Sequence, residues 1–158
     1  MIAIKTILLP TDGSEGSGTA LAYALFLAKE LRARVVGLHV IDQRWEDQTR
    51  RTFGEVRRDV LQAAQARHEA ETRGIMEAVA EAGTQVGLTV ETRLVTGSPV
   101  EQIVREATAL PADLIIMGTH GRTGISHVFL GSVAEKVIRR APCPVLTVRP
   151  KGHDVVAP

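Results

Sequence analysis

Five short apolar runs alternate with stretches of helical spacing along this chain, and that alternation leaves few folds open. The runs are 4–10, 34–41, 88–95, 113–117 and 145–149. Most of them are apolar almost without interruption, so neither face of the strand can look into water. That is the pattern of a parallel sheet covered on both sides. Between the runs, 19–31, 55–86, 100–110 and 132–140 read as helices. Strand, helix and strand in repetition join by right-handed crossovers. The expected fold is α/β: a five-stranded parallel sheet with helices on both faces, Rossmann-like.

Local signals set the boundaries. Asp12, Ser14 and Ser17 offer capping oxygens before the first helix, and Gly87 stands where a C-terminal glycine cap belongs. The run 20–28 is apolar on nearly every side, which predicts a helix heavily buried against the sheet. The run 88–95 alternates more than the others and belongs nearer an edge. Segment 42–54 is polar, carries Trp45 and has no clean period; it reads as a mobile lid or a short extra helix.

With 158 residues the chain suits one domain, 1–150, followed by a frayed tail, 151–158. A net charge of +1 gives no electrostatic footprint for nucleic acid, and 3% aromatics leave little to stack bases on. The longest apolar run, 20–28, is far short of a membrane span, and the N-terminus does not read as a signal peptide. The single cysteine, Cys143, has no internal partner and reads as a small buried hydrophobe. A cytoplasmic location, with no membrane and no nucleic acid as partners, is the expectation.

In folds of this class ligands lie beyond the carboxyl ends of the strands, where the strand order reverses. Two rich turns fall there: PTDGSEGSG after the first strand and GTHGRTG after the fourth. The second opens a spaced set, Gly118, Gly121 and Gly131, with Ser132 directly after it and a helix beginning there. Glycines let backbone approach a ligand closely, and the unpaired amides of a helix start favour an anion. Ordinary turn chemistry is the competing reading.

Several phosphate and catalytic motifs are absent. The lysines are Lys5, Lys29, Lys136 and Lys151, none in a Gly-Lys-Ser/Thr step, so the chain has no P-loop. Gly13, Gly16 and Gly18 fit no dinucleotide frame, and there is no GxSxG elbow. His39, His120 and His127 lack metal-motif spacing. Charge on a polyphosphate would be offset by peptide dipoles, a metal and Arg122, a residue that could equally point into solvent.

The spacing Gly118, Gly121, Gly131-Ser132, the PTDGS at 10–14 and the GSVAEKVIRRAPCPVLTVR at 131–149 together resemble the universal stress protein family over about 4–149. The resemblance implies the strand order 3-2-1-4-5 and a homodimer. It also implies ATP binding, the property of the branch that keeps the pattern G-x2-G-x9-G-S/T. Carried onto this chain, it implies that the amides of Gly121, Gly131, Ser132 and Val133, with the Ser132 hydroxyl, hold phosphates above Gly118 and Gly121. Asp12 would meet the ribose or a Mg²⁺ ion, unless it serves only as a helix cap. Val40 would read adenine through its backbone under cover of Ile41 and Met117, unless it is simply core. Thr11 and Gly97 would be wall residues, and His120 a phosphate or solvent contact. The run 145–149 is an apolar edge free of charge until Arg149, which invites pairing with a second copy. The expected function is an ATP-binding, dimeric regulatory module in stress response. The alternatives are a slow ATPase or phosphotransferase, no committed catalytic base being visible, and a ligand-free dimeric scaffold.

Overall fold

The computed structural model describes residues 2–53, 58–119 and 130–150. Its elements are β1 (Thr6–Pro10), α1 (Glu15–Leu31), β2 (Arg34–Asp42), α2 (Gln43–Phe53), α3 (Arg58–Gln85), β3 (Val90–Gly97), α4 (Pro99–Ala109), β4 (Leu114–Gly118), α5 (Ser132–Arg140) and β5 (Val145–Val148). The five strands form one parallel sheet in the order β3-β2-β1-β4-β5.

Side chains alternate across a strand, so the apolar runs feed two cores at once. Ile7 and Leu9 of β1 join Val35, Ile116 and the alanines of α1 on one face, with Met76 and Val79 of α3. Leu8, Val36, Leu38 and Ile115 join Ile103 of α4 and Val137 of α5 on the other. Ile7, Leu8 and Leu9 are wholly inaccessible, and the polar side chain of this strand, Thr6 at its start, is buried and accepts from Arg34 Nε. The sheet thus carries α1 and α3 on one side and α4 and α5 on the other, as the alternation predicts.

The first helix departs from the expectation in two ways. It begins at Glu15, four residues before the expected start, because the Ser14 hydroxyl accepts from the Ser17 N–H and caps it. It is also amphipathic in burial: Ala20, Ala24 and Ala28 at i, i+4 spacing lie on the sheet, whereas Tyr23 and Phe26 are 48% and 61% exposed. The apolar run hid this face, since the three alanines make the contact beside Leu25 while the two aromatic residues of the run stay exposed.

Segment 42–54 resolves as the extra helix, α2, over Gln43–Phe53. The third strand starts at Val90, two residues later than expected, because Gly87 at φ 79° still belongs to the turn. It lies at the sheet edge, in keeping with its alternating burial. The tail 151–158 lies outside the described residues.

At the amino end of the sheet, the Asp113 carboxylate accepts from the Lys5 and Thr6 amides at 2.8 and 2.9 Å. Those two bonds hold its carboxyl below the usual range. A group whose pKa falls on folding contributes stability above its unfolded value and loses it as pH drops through the folded one. Wild-type melting temperature should therefore fall on acidification below about pH 4. Asp113→Asn should flatten part of that fall, which thermal melts of both proteins between pH 2.5 and 7, a range chosen on the order of the carboxylate values, would check.

Candidate functional site

The ends of β1, β2, β3 and β4 and the starts of α1, α2, α4 and α5 lie at the carboxyl edge. The end of β1 is tied to β2 twice. The Thr11 amide donates to the Leu38 carbonyl at 2.8 Å, and the buried His39 ring bonds the Thr11 carbonyl through Nδ1, also at 2.8 Å. A carbonyl can only accept, so this geometry puts the ring proton on Nδ1. His39 is accordingly a brace for the turn. Asp12 follows, with Oδ1 accepting from the Ser14 amide at 3.0 Å. Asp12 shapes the turn and Ser14 is the cap, so the alternative role expected for Asp12 falls to its neighbour.

Gly118 ends β4, and its lack of a side chain has a specific cause. A Cβ there would stand 2.9 Å from the carbonyl carbon of Gly16 and 3.2 Å from the amide nitrogen of Ser17. The first turn of α1 lies directly on this residue, so glycine is needed for helix-on-strand approach. Beyond it, the Thr119 amide donates to Val148, and the Thr119 carbonyl accepts from Gly131 at 2.7 Å. Residues 119 and 131 are thereby clasped together. The Gly131 amide, expected to meet phosphate, is bonded within the chain here.

The helix that starts here, α5, has Gly131 at its N-cap and no side-chain cap; α4 has Ser98 at its N-cap and likewise no side-chain bond. Gly97 at φ 150° delivers the chain from β3 into α4, packed against the Gln102 side chain. The two helix starts converge on one cleft of about 380 Å³. Its walls include Ser98 and Val100 of α4, Ser132, Val133 and Lys136 of α5, and Asp42 with Arg44 at the end of β2 and the start of α2. Arg44 forks onto Asp42, Nε to Oδ1 at 3.0 Å and Nη2 to Oδ2 at 2.6 Å. That side-chain bond holds the Asp42 carboxyl below its ordinary value and raises the guanidinium.

Of the residues expected at the site, Ser132 and Val133 line this cleft. Thr11, Asp12, Val40, Met117 and Gly118 stand along the same sheet edge, at or just beyond the ends of β1, β2 and β4. Val40 packs with Met117 in the core of the α4 and α5 face. Ile41, expected to cover the base beside them, instead lines a separate cleft of about 350 Å³ with Thr72, Met76 and Leu94. The alternation of β2 turns it to the α3 side. Gly121, Arg122, His120 and His127 lie outside the described residues. Arg44 and Lys136 were not foreseen. Lys136 was legible, being one helical turn beyond Ser132 and so on the same face; Arg44 depends on the placement of α2.

A single carboxylate at Asp12, one oxygen of which bonds Ser14, is a meagre metal site. No group of three or more His, Cys, Asp or Glu side chains able to hold a metal occurs among the described residues. Magnesium binds through one or two carboxylates when phosphate oxygens and waters complete its shell. Among the described residues, Asp12 fits a metal whose shell is completed by phosphate oxygens and waters.

The sequence model of the universal stress protein family matches residues 3–149. The chain belongs to the universal stress protein family. It is similar to Universal stress protein MJ0531 of Methanocaldococcus jannaschii, 35% identical over 92% of this chain and 82% of the relative. Universal stress protein MJ0577 of the same organism is 33% identical over 96% and 98%. The solved structure of MJ0577 superimposes with a TM-score of 0.79 over 96% of this chain and all of that one, 100%. A further family structure, a complex with cAMP, is 26% identical with a TM-score of 0.68 over 94% and 99%. The fold of the family is the one described above. Among the described residues no helix is long and apolar enough to cross a membrane.

Gly118→Ala should cost about 1–3 kcal/mol of stability, since the methyl meets backbone that cannot rotate away. Chemical denaturation of the variant against the wild type measures it.

Proposed function

We propose that the chain is an adenine-nucleotide-binding regulatory module of the universal stress protein family, with ATP and Mg²⁺ as ligands, working as a homodimer in the cytoplasm in stress response. The observation that carries this reading is the convergence of two helix starts without side-chain caps on a single cleft. Unpaired first-turn amides and the positive ends of two helix dipoles favour an anion there. Ser132 and Val133 provide the phosphate contacts, together with Gly121, and Arg122 adds charge. Asp12 faces the ribose or the metal, and Val40, Met117 and Thr11 shape the base pocket. The bound cAMP of a family structure supports a nucleotide as the ligand class.

A second reading has an observation in its favour. Gly118 is explained by packing against α1, so one of the three spaced glycines has a structural duty, and the Gly131 amide is bonded to the Thr119 carbonyl. On that reading the protein is a ligand-free scaffold. The two separate cleanly: with millimolar ATP and Mg²⁺, a nucleotide binder should melt several degrees higher, and a scaffold should not move. Ser132→Ala should then weaken ATP by about tenfold, the value of a hydroxyl bond to a charged group, measured by titration calorimetry.

Dimerisation through the edge strand β5 has its own support. Among the described residues β5 pairs with β4 alone, and Leu146 and Ile138 leave apolar surface beside it. Leu146→Lys should shift the protein toward monomer in analytical ultracentrifugation. A dimer of unchanged affinity would remove the edge model.

A further inference from the structure

The ionic side chains of the cleft are divided between its walls. Lys136 stands on α5, four residues past Ser132, so an anion at the Ser132 and Val133 amides lies within reach of its long stem. Arg44 stands on α2 and is already oriented: Asp42 occupies its Nε and one hydrogen of Nη2. The two hydrogens of Nη1 and the second of Nη2 remain, on a side chain that is 84% exposed. A guanidinium held in one rotamer loses less freedom when it binds than a free one does.

We propose that Arg44 makes the cleft select ATP over mono- and cyclic nucleotides, by gripping the phosphates beyond the first. This rests on the nucleotide reading above. A single phosphate held at the start of α5 satisfies Ser132, Val133 and Lys136 and leaves the α2 wall untouched. Arg44 and Lys136 stand on different elements, α2 and α5, so an anion with more than one charged centre can engage both at once. The carboxylates of Asp42 and Asp47 face the same space and balance the two cations. The magnesium form of a triphosphate therefore suits the cleft better than the bare polyanion, since a hard cation shares phosphate and carboxylate oxygens. The outer phosphates would take the donors of Arg44 that Asp42 leaves open, so the aspartate fork persists in the complex.

The test is calorimetric titration of wild type, Arg44→Gln and Lys136→Gln with ATP·Mg, AMP and cAMP. Arg44 lies exposed on a surface helix, and melting of each variant verifies that it is folded. Arg44→Gln should weaken ATP·Mg by about tenfold, the size of a lost charge-assisted bond, and change AMP and cAMP by less than about twofold. Lys136→Gln should weaken ATP·Mg and AMP alike. Equal losses for ATP·Mg and AMP in Arg44→Gln, or none in either, would overturn the role of Arg44 while leaving nucleotide binding intact. Failure of the wild type to bind any of the three would remove the nucleotide reading, and this inference with it.

Discussion

The burial of the central strands on both faces is the constraint on which the rest depends. β1 and the first residues of β4 have no accessible side, so each face must be roofed by helix. Two helices per face do this, and each must return the chain to the amino end of the sheet. Every loop that leaves a strand therefore opens at the carboxyl edge. The cleft lies there because α4 and α5, lying together on one face, both begin at that edge beside the end of β2.

Close approach is achieved with small residues. Ala20, Ala24 and Ala28 seat α1 on the sheet, and Gly118 admits its first turn at the end of β4. The same contact seats the start of α1 against the end of β4, at the sheet edge where Asp12 also stands. A packing requirement and the siting of a candidate pocket are here served by one glycine, which makes spacing patterns ambiguous when read alone.

Electrostatics at the site follow from placement more than from composition. A chain of net charge +1 has no broad attractive field. Two helix starts meet instead at one cleft, with Arg44 and Lys136 at its margins. The carboxylate of Asp42 serves to fix a guanidinium, and that of Asp113 at the opposite edge serves to anchor strands. Similar groups thus have unlike duties at the two ends of one sheet.

Much of this was legible in the residues. Continuous apolar runs cannot tolerate water on either side, so their alternation with helical spacing determined the sheet and its two helical layers. Proline and glycine positions bounded most elements to within a few residues. The capping serine at 14 was visible, although it was offered beside Asp12 and Ser17. Tertiary structure decided the remainder. Which side of β2 Ile41 faces depends on pleat register, and the polar α2 has little local pattern to place it. The bond from Gly131 to Thr119 joins residues far enough apart that no local rule foretells it. Sequence determines what each segment must hide; only the folded chain decides which exposed groups then meet, because that depends on distances between elements that no single segment contains.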